Sequence, residues 1–214
     1  MAKSVIQHLF PNGNFILGHL HHNADRLHSM SLLMKNLVRE EDNGKCKELT
    51  GYSSKLLVET KHESRALFET LSKNLITPFD REDIFALGSG LKSLCTKTDS
   101  LIRYLEQNKC GASQQGLVQL TDSFEKATEA LLRVIHGLEK FNQQKTTYES
   151  VLDLREHYNF IDHHCELCLV ECFETLESIK EILINIDIYD YFGALTEKLK
   201  EMGQVAESFL VKYA

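Results

Sequence analysis

The sequence predicts an all-α protein: six long antiparallel helices forming two related three-helix bundles, residues 1–110 and 111–214. Three observations lead there. Apolar residues recur three and four apart through most of the 214 residues, which places them on one face of a helix. No segment sustains the period-two alternation of a half-buried strand. The breaks between periodic segments are short, and short connections make consecutive helices antiparallel neighbours.

The first helix is predicted from near Phe15 to Val38, with Ile16, Leu20, Leu27, Met30, Met34 and Leu37 on one stripe. A polar loop, EEDNGK, follows and ends near Lys45. The second helix runs to about Leu75 on a weaker stripe of Leu57, Leu67 and Leu71.

The next break is the most sharply specified. In ITPFDREDIFAL, Ile76 to Leu87, stands Pro78, one of only two prolines in the chain. Proline has no amide hydrogen and disfavours a helical residue before it, so the helix should stop near Leu75 to Thr77. Asp80 is then an N-cap, its carboxylate accepting an amide of the next helix's first turn. Asp83 stands in the capping-box position, Phe79 and Ile84 in those of a hydrophobic staple. Glu82 and Asp83 face the positive end of the helix dipole.

The third helix continues with Ile84, Leu87, Leu91, Leu94, Leu101 and Leu105, Thr98 filling one slot. NKCGASQQG breaks it, with Gly111 suited to a helix end. The fourth helix repeats the pattern through Leu117, Leu120, Phe124, Ala127, Leu131, Val134, Leu138 and Phe141. The fifth is predicted from about Tyr148, through Val151, Leu154, Tyr158, Ile161, Cys165 and Cys168, to near Ile186. The sixth carries Phe192, Leu195, Leu199, Met202, Ala206 and Phe209 to the C-terminus.

A net charge of -7 and a pI near 5.8 argue against a nucleic-acid binder, which needs a basic surface to displace counterions. No apolar run approaches the roughly 20 residues that span a bilayer, so contact with a membrane would be peripheral at most. MAKSVIQHLFPNGNF lacks a signal peptide's apolar segment and cleavage site. Six cysteines without such a signal suggest reduced thiols in a cytoplasmic protein. There is no glycine-rich phosphate loop, no nucleophile elbow and no HExxH, so neither phosphate binding by the chain itself nor catalysis is indicated.

TPFDREDIFAL, followed by a leucine-spaced helix, and the terminal LVKYA resemble the PhoU-like phosphate-transport regulators, in the branch of accessory proteins of Pit-type phosphate transporters. The resemblance follows helix order and length along most of the chain. It implies two related three-helix halves, often dimeric. It also implies a regulatory role in phosphate uptake, through contact with a phosphate transporter or phosphate-sensing membrane protein, and no enzyme activity.

Members of that family typically carry acids four apart on the second and third helices of each half. Such pairs share one helix face, and two of them can present four carboxylates to iron, magnesium, manganese or calcium. In the second half the matching residues are Asp162 and Glu166, then Glu197 and Glu201, with His163 or His164 beside them as further ligands. In the first half the matching residues are Lys61 and Arg65, then Lys92 and Thr96. Three cations and a hydroxyl repel a divalent ion, so a metal is expected in the second half only. The competing account of the four acids is a solvated helix face.

Two other constellations admit an ordinary explanation. IDHHCELC contains a CxxC, but Cys165, Cys168 and Cys172 continue an apolar seam, where cysteine acts as a small core hydrophobe. In HLHHNADRLH, His21, Asp25 and His28 share a face, and Asp25-x-x-His28 with Glu59-x-x-His62 imitates the carboxylate–histidine pairs of di-iron bundles. A di-iron site needs two further inward glutamates, which no residues supply convincingly, so the pattern favours a solvated polar face. The alternative function is a metal-binding helical-bundle protein, a di-iron-type enzyme or a metal store. A helical adaptor that kept the fold and lost the role is a third.

Overall fold

The computed structural model describes residues 13–74, 77, 79–109, 115–138 and 144–213. They form six helices: α1 Gly13–Arg39, α2 Asn43–Lys73, α3 Arg81–Asn108, α4 Gln115–Gly137, α5 Gln144–Thr175 and α6 Ile179–Lys212. No strand occurs among the described residues. The all-α class and the six-helix order follow the expectation.

α1, α2 and α3 pack on one another, and α5 packs on both α4 and α6, giving two three-helix sets. The sets meet where α1 lies on α4 and α3 on α6. α2 and α5 are thus outer helices, each touching only the other two members of its own set. One continuous core takes side chains from all six helices. The expected division between residues 110 and 111 lies outside the described residues, as do Pro78, Gly111 and Phe141.

This layering explains the stripes. α3 is covered by α1, α2 and α6, and buries Ile84, Leu87, Leu91, Leu94, Leu101 and Leu105. Gly90 lets α3 approach α6 closely: a methyl group there would stand 2.1 Å from the Met202 sulfur. α2 reads weakly because half its buried face is polar: Ser53, Thr60 and Ser64 are interspersed with Leu57, Leu67 and Leu71. Ser53 Oγ donates to the carboxylate of Asp99, 1% exposed on α3, at 2.9 Å, and Asn23 on α1 donates to Ser64 Oγ at 3.2 Å. Arg103, one turn beyond Asp99, supplies the opposite charge at 2.9 Å. A buried carboxylate held by hydroxyls and a guanidinium meets its desolvation cost locally.

The α2–α3 corner is built as its residues dictate, with one addition. Asp80 caps α3, accepting the Glu82 amide at 3.1 Å. Phe79 is buried. Asp83 does not close a capping box; it takes the ammonium of Lys212 at 2.8 and 3.0 Å. Tyr213 Oη accepts the backbone N–H of Asp80 at 2.7 Å, and the rings of Phe209 and Tyr213 lie 4.5 and 5.1 Å from that of Phe79. The corner and the C-terminus, the two segments that carry the family resemblance, are one contact.

Two boundaries differ from expectation and one follows it. α2 starts at Asn43, inside the expected loop, because Asp42 caps it by accepting the Lys45 amide at 2.9 Å. α3 stops after Asn108, at the expected NKCGASQQG break, where Lys109 caps it in a left-handed conformation (φ 52°) and donates its N–H to the carbonyls of Leu105 and Glu106. The largest difference is at the α5–α6 break, expected near Ile186 and found at Leu176–Ser178. Ser178 is the N-cap of α6, and Glu181 three residues on completes the sequence pattern of a capping box. The apolar run Ile182–Ile184 obscured that signal.

Candidate functional site

The second-half acids lie on the outer surface of α5 and α6, all four exposed. Asp162 accepts the ammonium of Lys200 from α6 at 2.7 Å. The same ammonium stands 5.9 Å from the ring centre of Tyr158. Glu201 is bonded by Lys198, three residues earlier. Glu166 faces His163 one turn back on α5, at 3.9 Å, and Glu197 is exposed on α6.

Spacing placed the four acids on neighbouring helices, but the structure does not draw them together. Among the described residues no group of three or more histidine, cysteine, aspartate or glutamate side chains is placed to hold a metal ion. As arranged, these residues do not fit a resident metal. The reason was in the sequence: Glu197-Lys198-Leu199-Lys200-Glu201 interleaves two ammonium groups with the two carboxylates. In the first half, Lys61 is exposed, Arg65 pairs with Glu69 at 3.0 Å, and Thr96 Oγ1 donates to the Lys92 carbonyl at 2.8 Å.

Of the face expected to be solvated, Asp25 is exposed, but His21 and His28 are half-buried, which corrects the expectation for the two histidines. His21 stacks on His136 of α4 with ring centres 4.1 Å apart, Asp25 faces His136 at 3.7 Å, and His28 Nδ1 lies 3.3 Å from Thr128 Oγ1. These contacts join the two three-helix sets. Sequence reading could not tell that α1 packs on three neighbours and therefore buries a second, polar face.

It also missed a neighbouring cluster. Glu63 on α2 faces two α1 histidines, His19 at 2.6 Å and His22 at 3.0 Å, and lies 3.8 Å from Arg26. Glu59 pairs with that arginine at 3.2 Å, and His62, its supposed partner, is exposed. Burial alone would raise the Glu63 pKa; the bonds from His22 and His19, with the charge of Arg26, outweigh it and hold the carboxyl below its usual range. This cluster fastens α2 to α1.

Cys168 and Cys172 are buried and Cys165 half-buried, all three as free thiols. Burial pushes the Cys165 thiol up to about 12 and raises that of Cys168. Both are poor nucleophiles and metal ligands near neutrality, in keeping with a core role. Cys172 Sγ lies 3.5 Å from Tyr189 Oη, beside a cleft of about 450 Å³. The start of α4 and the α5–α6 hairpin form its walls, with Gln119, His164, Glu171 and Asn185 among its lining.

No helix among the described residues is long and apolar enough to cross a membrane. No protein-family model and no curated protein matches the chain. Two solved structures from Shewanella oneidensis MR-1 are similar to it. One, a PhoU-like protein, has a TM-score of 0.77 and 13% identity, covering 92% of this chain and 99% of its own. The other, named for PhoU-like phosphate regulation, has a TM-score of 0.71 and 14% identity, with the same coverage. At such identities the likeness establishes the fold: the chain is PhoU-like in architecture.

Proposed function

We infer that the chain is a regulatory or accessory protein of inorganic phosphate transport, working on the cytoplasmic side through contact with a membrane transporter or a phosphate-sensing membrane protein. The observation that carries this reading is the match of both three-helix sets, over 92% of the chain, to a PhoU-like structure. The corner and terminal segments that resemble the Pit-accessory branch support the finer assignment; packed against each other, they are one structural signature rather than two. The role needs no catalytic group, and neither the buried thiols nor the paired surface acids supply one. As in the family it resembles, the expected assembly is a homodimer.

Radiolabelled phosphate uptake in cells lacking the gene tests this reading. Altered uptake, restored by the wild-type gene, is the expected result, together with cross-linking of the protein to a phosphate transporter or sensor in membranes. Unchanged uptake under both phosphate-replete and phosphate-starved growth would refute it. Sedimentation velocity measures the oligomer.

A further inference from the structure

The α5–α6 hairpin tip is built unlike the rest of the surface. Between Asp162 and Asp190 the chain carries eight carboxylates and one base, Lys180, which accounts for the whole net charge of -7; the remainder is neutral. The same segment exposes large apolar side chains: Leu167, Val170 and Phe173 on the last turns of α5, Ile179 and Leu183 on the first turns of α6. Phe173 is 61% and Ile179 75% exposed. On α5 beyond Ile161, only Cys168 and Cys172 are buried among the described residues, and α6 has no buried residue before Asn185. Scattered apolar residues are ordinary on a surface; five of them fall within this one hairpin tip.

The charge says what would cover them. A second copy set tip to tip would oppose like charge to like, and an anionic lipid surface is repelled in the same way. We propose that the tip is a docking surface for a basic amphipathic segment, a helix with one apolar face and Lys or Arg on its flanks, of the kind concentrated in the cytoplasmic loops of membrane proteins. The apolar face covers Leu167, Val170, Phe173, Ile179 and Leu183. The flanking cations meet Glu166, Glu171, Glu174, Glu177 and Glu181. The cleft beside Glu171, about 450 Å³ and lined also by Asn185 and Tyr189, has room for one Lys or Arg head to anchor the segment. The proposal deepens the transport reading, and rests on it for where such a segment would be found.

The test uses two short amphipathic peptides with the same leucine face, one with lysine and one with glutamate on its polar face. Binding to the full chain is followed by fluorescence anisotropy. The leucine–lysine peptide should bind, more weakly as salt rises, and the leucine–glutamate peptide should not. Leu167→Ser/Phe173→Ser should weaken binding by about tenfold or more. Glu171→Lys/Glu174→Lys/Glu181→Lys should abolish it and admit the leucine–glutamate peptide. Glu41→Lys/Glu48→Lys, equally exposed on α2 and its approach, should leave binding unchanged. Circular dichroism verifies that each variant keeps its helices. Equal binding of both peptides, or indifference to the tip variants, would overturn the proposal. So would a wild-type dimer, or binding to neutral lipid vesicles, that the tip variants abolish. No transporter sequence and no phosphate enter the assay, so its failure leaves the transport reading to the uptake measurement.

Discussion

The α2–α3 corner and the α5–α6 corner occupy the same place in their three-helix sets and are treated in opposite ways. The first is latched: Phe79 is buried under Phe209 and Tyr213, and Asp80 and Asp83 hold Tyr213 and Lys212. The second has its apolar residues in the open and no cation nearer in sequence than Lys180. One corner closes the molecule by tying its first half to its last residues. The other buries little beyond Cys168 and Cys172, which leaves its apolar residues for a partner. A duplicated architecture can thus keep one copy of a feature for stability and release the other for recognition.

The largest test of this contrast is a pair of truncations. Phe79→Ala removes a buried ring with two aromatic neighbours and should cost about 3–5 kcal/mol, read from the urea midpoint. Phe173→Ala removes an exposed ring and should stay within about 0.5 kcal/mol. Comparable losses at the two sites would mean that the second corner is also structural.

A second pair compares carboxylates facing cations in each half. Glu63→Gln should destabilise by roughly 1–2 kcal/mol at neutral pH, because Glu63 is largely enclosed among His19, His22 and Arg26. The pH dependence has a definite sign. The folded-state pKa of Glu63 lies below its ordinary value of 4.5, so its contribution is complete above that value and is lost as pH falls through the folded pKa. The gap between wild type and Glu63→Gln should therefore begin to close only once the pH falls below 4.5. Asp162→Asn, breaking the exposed pair with Lys200, should lack that cost. A gap independent of pH down to acid unfolding would remove Glu63 from the account.

The caps make a smaller pair. Asp80→Ala should cost about 1 kcal/mol, the usual price of a lost N-cap. Ser178→Ala should cost only a few tenths of that, since Ser178 Oγ reaches the Glu181 amide at 3.5 Å, the limit of a hydrogen bond. Equal effects would show that the second corner is as firmly set as the first.

What could be read in advance follows the same line. Asp80, Phe79 and the leucine stripe of α3 were legible in the sequence: a cap, a large apolar side chain beside it and an unbroken apolar face on a helix covered on three sides. The start of α6 was not, because Ile182, Leu183 and Ile184 are consecutive and only partly covered, so no face stands out. The polar seam of α2 and the histidine contacts of α1 were illegible for another reason. Their burial depends on which helices meet, and periodicity along one helix carries no such information. The acid pairs were legible as pairs; their partners, Lys198 and Lys200, stood in the same five residues and decide what the pairs can do.

Those lysines give the last and smallest test, which returns to metal. A divalent cation at the second-half surface would gain from Asp162, Glu166, Glu197 and Glu201, with His163 adding a nitrogen. It would first have to displace Lys200 from Asp162 and Lys198 from Glu201. An exposed ion pair is worth at most about 1 kcal/mol, a factor of roughly five in affinity. The wild-type surface should therefore bind manganese or magnesium only weakly. Lys198→Ala/Lys200→Ala should tighten that binding several-fold, and adding Glu197→Ala/Glu201→Ala should remove the gain. The first half offers the control: Lys61→Ala/Arg65→Ala removes two cations where no carboxylate pair waits, and should leave affinity unchanged. Isothermal titration with manganese, beside metal analysis after incubation with iron, measures all four proteins. Tight binding by the wild type that survives loss of Glu197 and Glu201 would place any metal elsewhere and sink the second-half site. Equal gains from the lysine variants of both halves would reduce the effect to net charge, and the two halves would then differ in their corners alone.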